Sequence, residues 1–209
     1  SYLESMQFAN LDVNDKRLPA SVGGFTNGVS ALEMAKGYAT IKNDGGYRNP
    51  TCIIKITDAD GQVLYQADQT ASVVYKENAC RQMTDMLQTV ITSGTGRGYS
   101  LGNMPCAGKT GTTNDNKDGW FVGYTPYYTT SVWVGYDIPK EVPGLGGGTY
   151  PGKIWYSFMS WLHEGLEPID FVHPLDQTLT DLGQTDTTEN TDADQADTTG
   201  NADADQTAD

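Results

Sequence analysis

The stretch from Met104 to Tyr136 constrains the fold most, because it holds three strand-like segments joined by very short connections. The segments are Met104–Thr113, Gly119–Tyr124 and Thr129–Tyr136. A polar loop, Asn114–Asp118, separates the first two, and a turn at Pro126-Tyr127 separates the last two. Parallel neighbours need a crossover of a dozen or more residues. Connections this short therefore predict an antiparallel meander.

Helical patterns flank the meander. Ser30-Ala31-Leu32-Glu33 reads as a capping box, in which the Ser hydroxyl and the Glu carboxylate each satisfy an orphan N–H. Leu32, Ala35 and Ala39, with Ala31 and Tyr38, form the expected apolar stripe. Asn43-Asp44-Gly45-Gly46 ends that helix, with glycine free to adopt the left-handed conformation. From Lys76 to about Ser93, residues Ala79, Met83, Met86, Leu87, Val90 and Ile91 recur at helical spacing, and Gly94-Thr95-Gly96 stops them. Between these helices, Cys52–Thr57, the turn Asp58–Gly61 and Gln62–Tyr65 predict a hairpin. Residues 151–165 predict a closing helix whose Ile154, Trp155, Phe158, Met159, Trp161 and Leu162 pack on the sheet. Residues 1–28, with Pro19 and a turn at Gly23-Gly24, read as a connection. Helix, hairpin, helix, three strands, helix is an α+β order, an antiparallel sheet with packed helices. There is no internal repeat.

From Gln177 onward the 209-residue chain is almost all Asp, Thr, Gln, Asn, Ala and Gly. Such a stretch buries too little apolar surface to offset its ordering entropy. We therefore expect a domain over residues 1–175 and an acidic disordered tail over 176–209. The tail dominates the net charge of −14: ten of the 27 acidic residues lie at or after Asp176, and no Lys or Arg follows Lys153. What remains is 17 acids against 13 bases, which gives no basic footprint for nucleic acid. Cys52, Cys80 and Cys106 lack C-x-x-C spacing, so neither a disulfide framework nor a zinc site is indicated. His163 and His173 stand outside any metal-ligand pattern and read as surface residues. Trp120, Trp133, Trp155 and Trp161 read as core residues, and Arg97 as a loop residue. No run of 18 apolar residues and no signal peptide is visible. The chain opens on Ser1 inside domain-like sequence and is expected to be a piece of a longer protein.

Gly108-Lys109-Thr110-Gly111-Thr112-Thr113 carries the chemistry. Thr110 and Thr112 are two apart on a strand, so their hydroxyls share a face, while Lys109 starts toward the other. Gly111 removes a side chain where another group must approach the backbone. Two hydroxyls within reach of a cation suit a carboxylate. A free N–H on an edge strand suits an oxyanion. The plain alternative is an ordinary strand with exposed threonines.

Lys109-Thr110-Gly111 resembles the third motif of penicillin-binding proteins and serine β-lactamases. The resemblance extends over roughly residues 20–165. Gly28–Ala35, Tyr38-Ala39-Thr40 and Asn43–Tyr47 are similar to the helix that precedes the late part of these transpeptidase domains. Met83–Leu87 with Gly94-Thr95-Gly96, Asp118–Pro126 and Val132–Tyr136 continue the likeness, in the style of the bifunctional, class A enzymes.

This resemblance implies the penicillin-binding-protein/serine β-lactamase-like fold and serine acyl transfer on the D-Ala-D-Ala end of peptidoglycan stem peptides. β-Lactams mimic that end. Lys109 would supply positive potential beside the nucleophile, Thr110 and Thr112 would bind the carboxylate, and Gly111 would let the strand lie close to substrate. The Thr112 N–H would form half of the oxyanion hole. No metal or organic cofactor is implied. The parent would work at the extracytoplasmic face of the bacterial membrane, anchored upstream of this chain. The sequence departs from the family in having no S-x-x-K and no S-x-N. Ser21, Ser30, Ser72, Ser93 and Ser131 all lack Lys three positions on. The nucleophile is therefore expected in an upstream part of the same domain, and the chain alone is expected to be inactive. Two other readings stand beside this one: a non-catalytic piece that packs with a partner or binds ligand without turnover, and a β-lactamase. The acidic tail and Trp120–Pro126 speak against the β-lactamase.

Overall fold

The computed structural model describes residues 1–175; the expected acidic tail, 176–209, lies outside the described residues. The chain begins with a one-turn helix α1 (Tyr2–Ser5), then two 3-10 turns at Val13–Asp15 and Leu18–Val22. Helix α2 (Ala31–Lys42) follows, then β1 (Gly46–Tyr47), β2 (Lys55–Thr57), β3 (Val63–Gln66) and β4 (Ser72–Val73). Helix α3 (Glu77–Thr92), strands β5 (Ala107–Thr112), β6 (Asp118–Tyr124) and β7 (Thr129–Gly135), and helix α4 (Tyr150–Leu162) complete it. The meander is present, antiparallel and in the order β5-β6-β7. It is embedded in a mixed helix and sheet fold, as expected.

The capping box that starts α2 is complete, with Ser30 Oγ accepting from Glu33 N–H and the Glu33 carboxylate accepting from Ser30 N–H. Glu33 Oε1 also accepts the Ala9 N–H at 2.7 Å, which ties the N-terminal connection to the helix. Past Asn43, Asp44 and Gly45 both take positive φ, and a Cβ at Gly45 would fall 2.1 Å from the Tyr75 carbonyl oxygen. The hairpin forms as β2 and β3, but β2 starts at Lys55 rather than Cys52, and both strands are exposed. Short β1 pairs with β4 across the base of the hairpin, a pairing the sequence did not announce.

Several expected core positions are corrected. On α2, Leu32 and Ala31 are exposed, whereas Glu33 and Thr40 are buried. On α3 the buried positions are Cys80, Thr84, Leu87 and Ile91, while Ala79, Met83 and Met86 face outward. On α4 only Trp155 and Met159 of the expected set are fully buried; Ile154, Phe158 and Trp161 are exposed. Of the four tryptophans, Trp155 alone is fully buried, Trp120 is half-buried and Trp161 is exposed. His163 is not a surface residue: it is buried between the β6–β7 turn and the end of α4. All three cysteines are free thiols.

The sheet separates two layers. Ile91, Cys106, Phe121, Trp155 and Met159 form the cluster on the α4 side. Trp155 lies against Gly123, where a Cβ would sit 2.6 Å from the indole, and its Nε1 donates to Gly123 C=O at 3.3 Å. On the other side Tyr124 packs with Leu87 and Ala107, meets Tyr38 of α2 edge-on, and shares a 2.9 Å hydroxyl contact with Thr84. Burial pushes the Tyr124 phenol up to about 12, although the Thr84 hydrogen bond pulls the other way.

Candidate active-site strand and its surroundings

Lys109, Thr110, Gly111 and Thr112 all lie on β5, which is an edge strand. The register pairs Lys109 with Val122, Thr110 with Phe121, Gly111 with Trp120 and Thr112 with Gly119. Paired residues share a face, so Lys109 and Gly111 begin on the side of Trp120 and Val122. Thr110 and Thr112 share the opposite side, with Phe121.

The open edge brings the two faces together. Thr113 N–H donates to Asp118 C=O at 3.0 Å. Backbone groups alternate in direction along an antiparallel strand, so the Thr112 N–H points away from β6, into the open edge. Lys109 curls to the same edge, where its Nζ donates to Thr110 C=O at 2.8 Å. The cation and the free N–H thus share the open edge, the two hydroxyls stand on the threonine face beside it, and all of Lys109–Thr112 line one cleft. A cleft of about 360 Å³ runs along this strand, bounded by Val22 and Phe25 of the N-terminal connection, Met34 and Tyr38 of α2, and Trp120. Burial raises the Tyr38 phenol, so it faces the cleft as a neutral hydroxyl. Ser21 lines the cleft too, but its hydroxyl donates to Leu18 C=O at 2.6 Å.

The turn beyond the strand is held by Asp118, as Thr113 Oγ1 and Trp133 Nε1 donate to its two carboxylate oxygens at 2.9 and 3.0 Å. Asp115 and Asn116 take positive φ there, a conformation their short polar side chains tolerate.

Two features on the threonine face escaped the sequence reading. The glycine run Gly146-Gly147-Gly148 lies on β5 at Gly111: a Cβ on Gly147 would fall 2.7 Å from the Gly111 nitrogen. Gly147 N–H donates to Thr112 Oγ1 at 3.0 Å, and Tyr99 OH holds the run by donating to Gly148 C=O at 2.6 Å. Thr95 is the second feature, its Oγ1 lying 2.6 Å from Thr110 Oγ1. The glycine run carried a usable signal, since consecutive glycines before a helix mark close backbone approach. Thr95 carried none beyond its place after α3.

No group of His, Cys, Asp and Glu among the described residues could hold a metal ion. No helix among them is long and apolar enough to cross a membrane.

Residues 10–160 match the model of the penicillin binding protein transpeptidase domain. The chain therefore belongs to the penicillin-binding protein transpeptidase family, and its relatives place it with the class A enzymes. It is 41% identical over 155 residues to penicillin-binding protein 4 of Bacillus subtilis, covering 74% of this chain and 25% of that protein. To penicillin-binding protein 1A of Neisseria meningitidis it is 39% identical over 158 residues, covering 71% of this chain and 20% of the relative. The chain thus spans a quarter or less of the length of these curated relatives. Among solved structures, PonA1 of Mycobacterium tuberculosis in complex with penicillin V superposes with a TM-score of 0.71 at 29% identity. That match covers 83% of this chain and 51% of the PonA1 chain.

Proposed function

We propose that this chain is the K-T-G-bearing part of a serine D,D-transpeptidase that cross-links peptidoglycan, and that residues 1–175 are one portion of its catalytic domain. The observation that carries this reading is that Lys109, Thr110, Gly111 and Thr112 follow one another on an edge strand that lines a cleft, with Lys109 Nζ held at the open edge. A serine in an upstream part of the domain attacks the carbonyl between the two D-alanines of a stem peptide, and its proton passes to a neighbouring base. The terminal D-alanine leaves with a proton. An amino group of a second stem peptide then attacks the acyl-enzyme and regenerates the serine.

In this reading Lys109 provides fixed positive charge beside the nucleophile. The hydroxyls of Thr110 and Thr112 donate to the carboxylate of the terminal D-alanine. Thr112 N–H supplies one donor of the oxyanion hole, and Gly111 lets the substrate lie against the strand. β-Lactams occupy the same place and stall the acyl-enzyme. The whole protein acts at the extracytoplasmic face of the membrane, held by an upstream segment, and carries a glycosyltransferase domain. By itself the chain is inactive, since none of its serines has Lys three residues on.

Labelling with a fluorescent penicillin on a denaturing gel tests this. The chain alone should show no covalent band. The upstream part of the domain should label when this chain is added and much less without it. A band on this chain, or full labelling of the upstream part in its absence, rejects the assignment.

A further inference from the structure

We propose that Thr95 is a positioning residue that supports the Thr110 hydroxyl in the orientation that turns its proton to the ligand and so raises the affinity of the β5 edge for a carboxylate. The proposal rests on the reading of Thr110 and Thr112 as the carboxylate-binding pair. A hydroxyl has one proton to donate and two lone pairs. Thr112 Oγ1 accepts the Gly147 N–H at 3.0 Å, and a backbone nitrogen only donates. The Thr112 proton is therefore not consumed by its support and remains for an anion.

At Thr110 the contact is hydroxyl to hydroxyl, at 2.6 Å, and either oxygen can donate. If Thr110 donated to Thr95, it would turn a lone pair toward an incoming carboxylate, which is repulsive. If Thr95 donates, the Thr110 proton is released toward the ligand, and both threonines act alike: each accepts one bond from a support and gives one to the anion. A carboxylate selects this second orientation, and Thr95 makes it available without leaving the Thr110 lone pair unsatisfied.

Thr95 is well placed to hold a direction. Gly94 N–H donates to Thr89 C=O at 2.9 Å and Gly96 N–H to Val90 C=O at 3.0 Å, so the residues on either side are fastened to the last turn of α3. The glycine run closes on the same spot, where a Cβ on Gly148 would come 3.0 Å from the Thr95 carbonyl oxygen. The end of α3 and the approach to α4 therefore brace the two hydroxyls from behind, one through Thr95 and one through Gly147.

The test uses the full-length protein that carries this chain. Acylation rate constants are measured with benzylpenicillin and with its methyl ester, which lacks the carboxylate, and the ratio of the two is taken for each variant. In Thr95→Val the ratio should fall about threefold to tenfold, the size of one lost neutral hydrogen bond, and Thr95→Ser should restore it. Each ratio is internal to the folded fraction, so partial unfolding of a variant scales both rates and leaves it unchanged. Thr95→Ala removes the methyl as well as the hydroxyl and should show the same loss. An unchanged ratio in Thr95→Val and Thr95→Ala, with Thr110→Val lowering it, overturns the role of Thr95. An unchanged ratio in Thr110→Val overturns the underlying reading of the site.

Discussion

Burial sorts the three cysteine thiols although the sequence treats them alike. Cys52 is exposed. Cys80 lies on the buried face of α3, where desolvation and, to a lesser degree, the nearby Asp44 carboxylate push its thiol up to about 11. Burial also raises the Cys106 thiol, with a smaller opposing effect from the backbone at Leu101. The thiolate is the nucleophile, and a raised pKa lowers its fraction at any pH below that value. Iodoacetamide at pH 8 should therefore modify one thiol rapidly and two slowly, with peptide mass mapping placing the fast one at Cys52. Rapid modification of Cys80 in the folded chain would contradict its burial. The same logic makes Lys109 legible only in part from sequence. Its type and its neighbours were readable, but its turn to the open edge depends on the Thr110 carbonyl that holds it there.

Among the elements, α2 shows how a polar side chain can anchor a helix. Burial raises the Glu33 carboxyl, but the N–H groups of Ser30 and Ala9, the Ser30 hydroxyl and Lys36 together bring it below the usual carboxylate range. A carboxylate depressed in the folded state contributes stability that is complete above its unfolded value, near pH 4.3, and is lost as pH falls through the folded value. Glu33→Gln leaves one amide NH₂ facing N–H donors at Ser30 or Ala9, so it should destabilise by about 1–3 kcal/mol at pH 7. Urea midpoints of the two proteins should converge as pH is lowered below about 4, whereas a constant gap would show that the charge is not responsible. The capping box was visible in the sequence, but the reach of Glu33 to Ala9 was not, because it joins residues 24 apart. On α3 the expected Leu87 and Ile91 are buried, but the rest of that face differs from the periodicity for a related reason. Hydrophobic spacing favours Met83 and Met86 over Cys80 and Thr84. The smaller residues nonetheless turn inward, where the Thr84 hydroxyl meets both the Cys80 carbonyl and the Tyr124 phenol.

For the molecule as a whole, the outward apolar residues matter most. Tyr150, Ile154, Phe158 and Trp161 recur along one side of α4 and are exposed, as are Met83 and Met86 on α3. Exposed apolar side chains repeated along a helix suit a contact surface, and we expect the upstream part of the domain to cover those of α4. Sedimentation velocity of the chain alone should show concentration-dependent association that the upstream part suppresses; a monomer at every concentration would count against that cover. The meander, the hairpin, the three main helices and the Lys109–Thr112 strand were legible in the sequence, because each rests on local spacing, a cap or a short connection. So was the family, from motifs along the chain. Which helix faces are buried, the pairing of β1 with β4, the burial of His163, and the placement of Thr95 and Gly147 behind the two threonines were decided by tertiary structure. These depend on contacts between residues far apart in the chain, where shape and hydrogen-bond satisfaction outweigh hydrophobic periodicity.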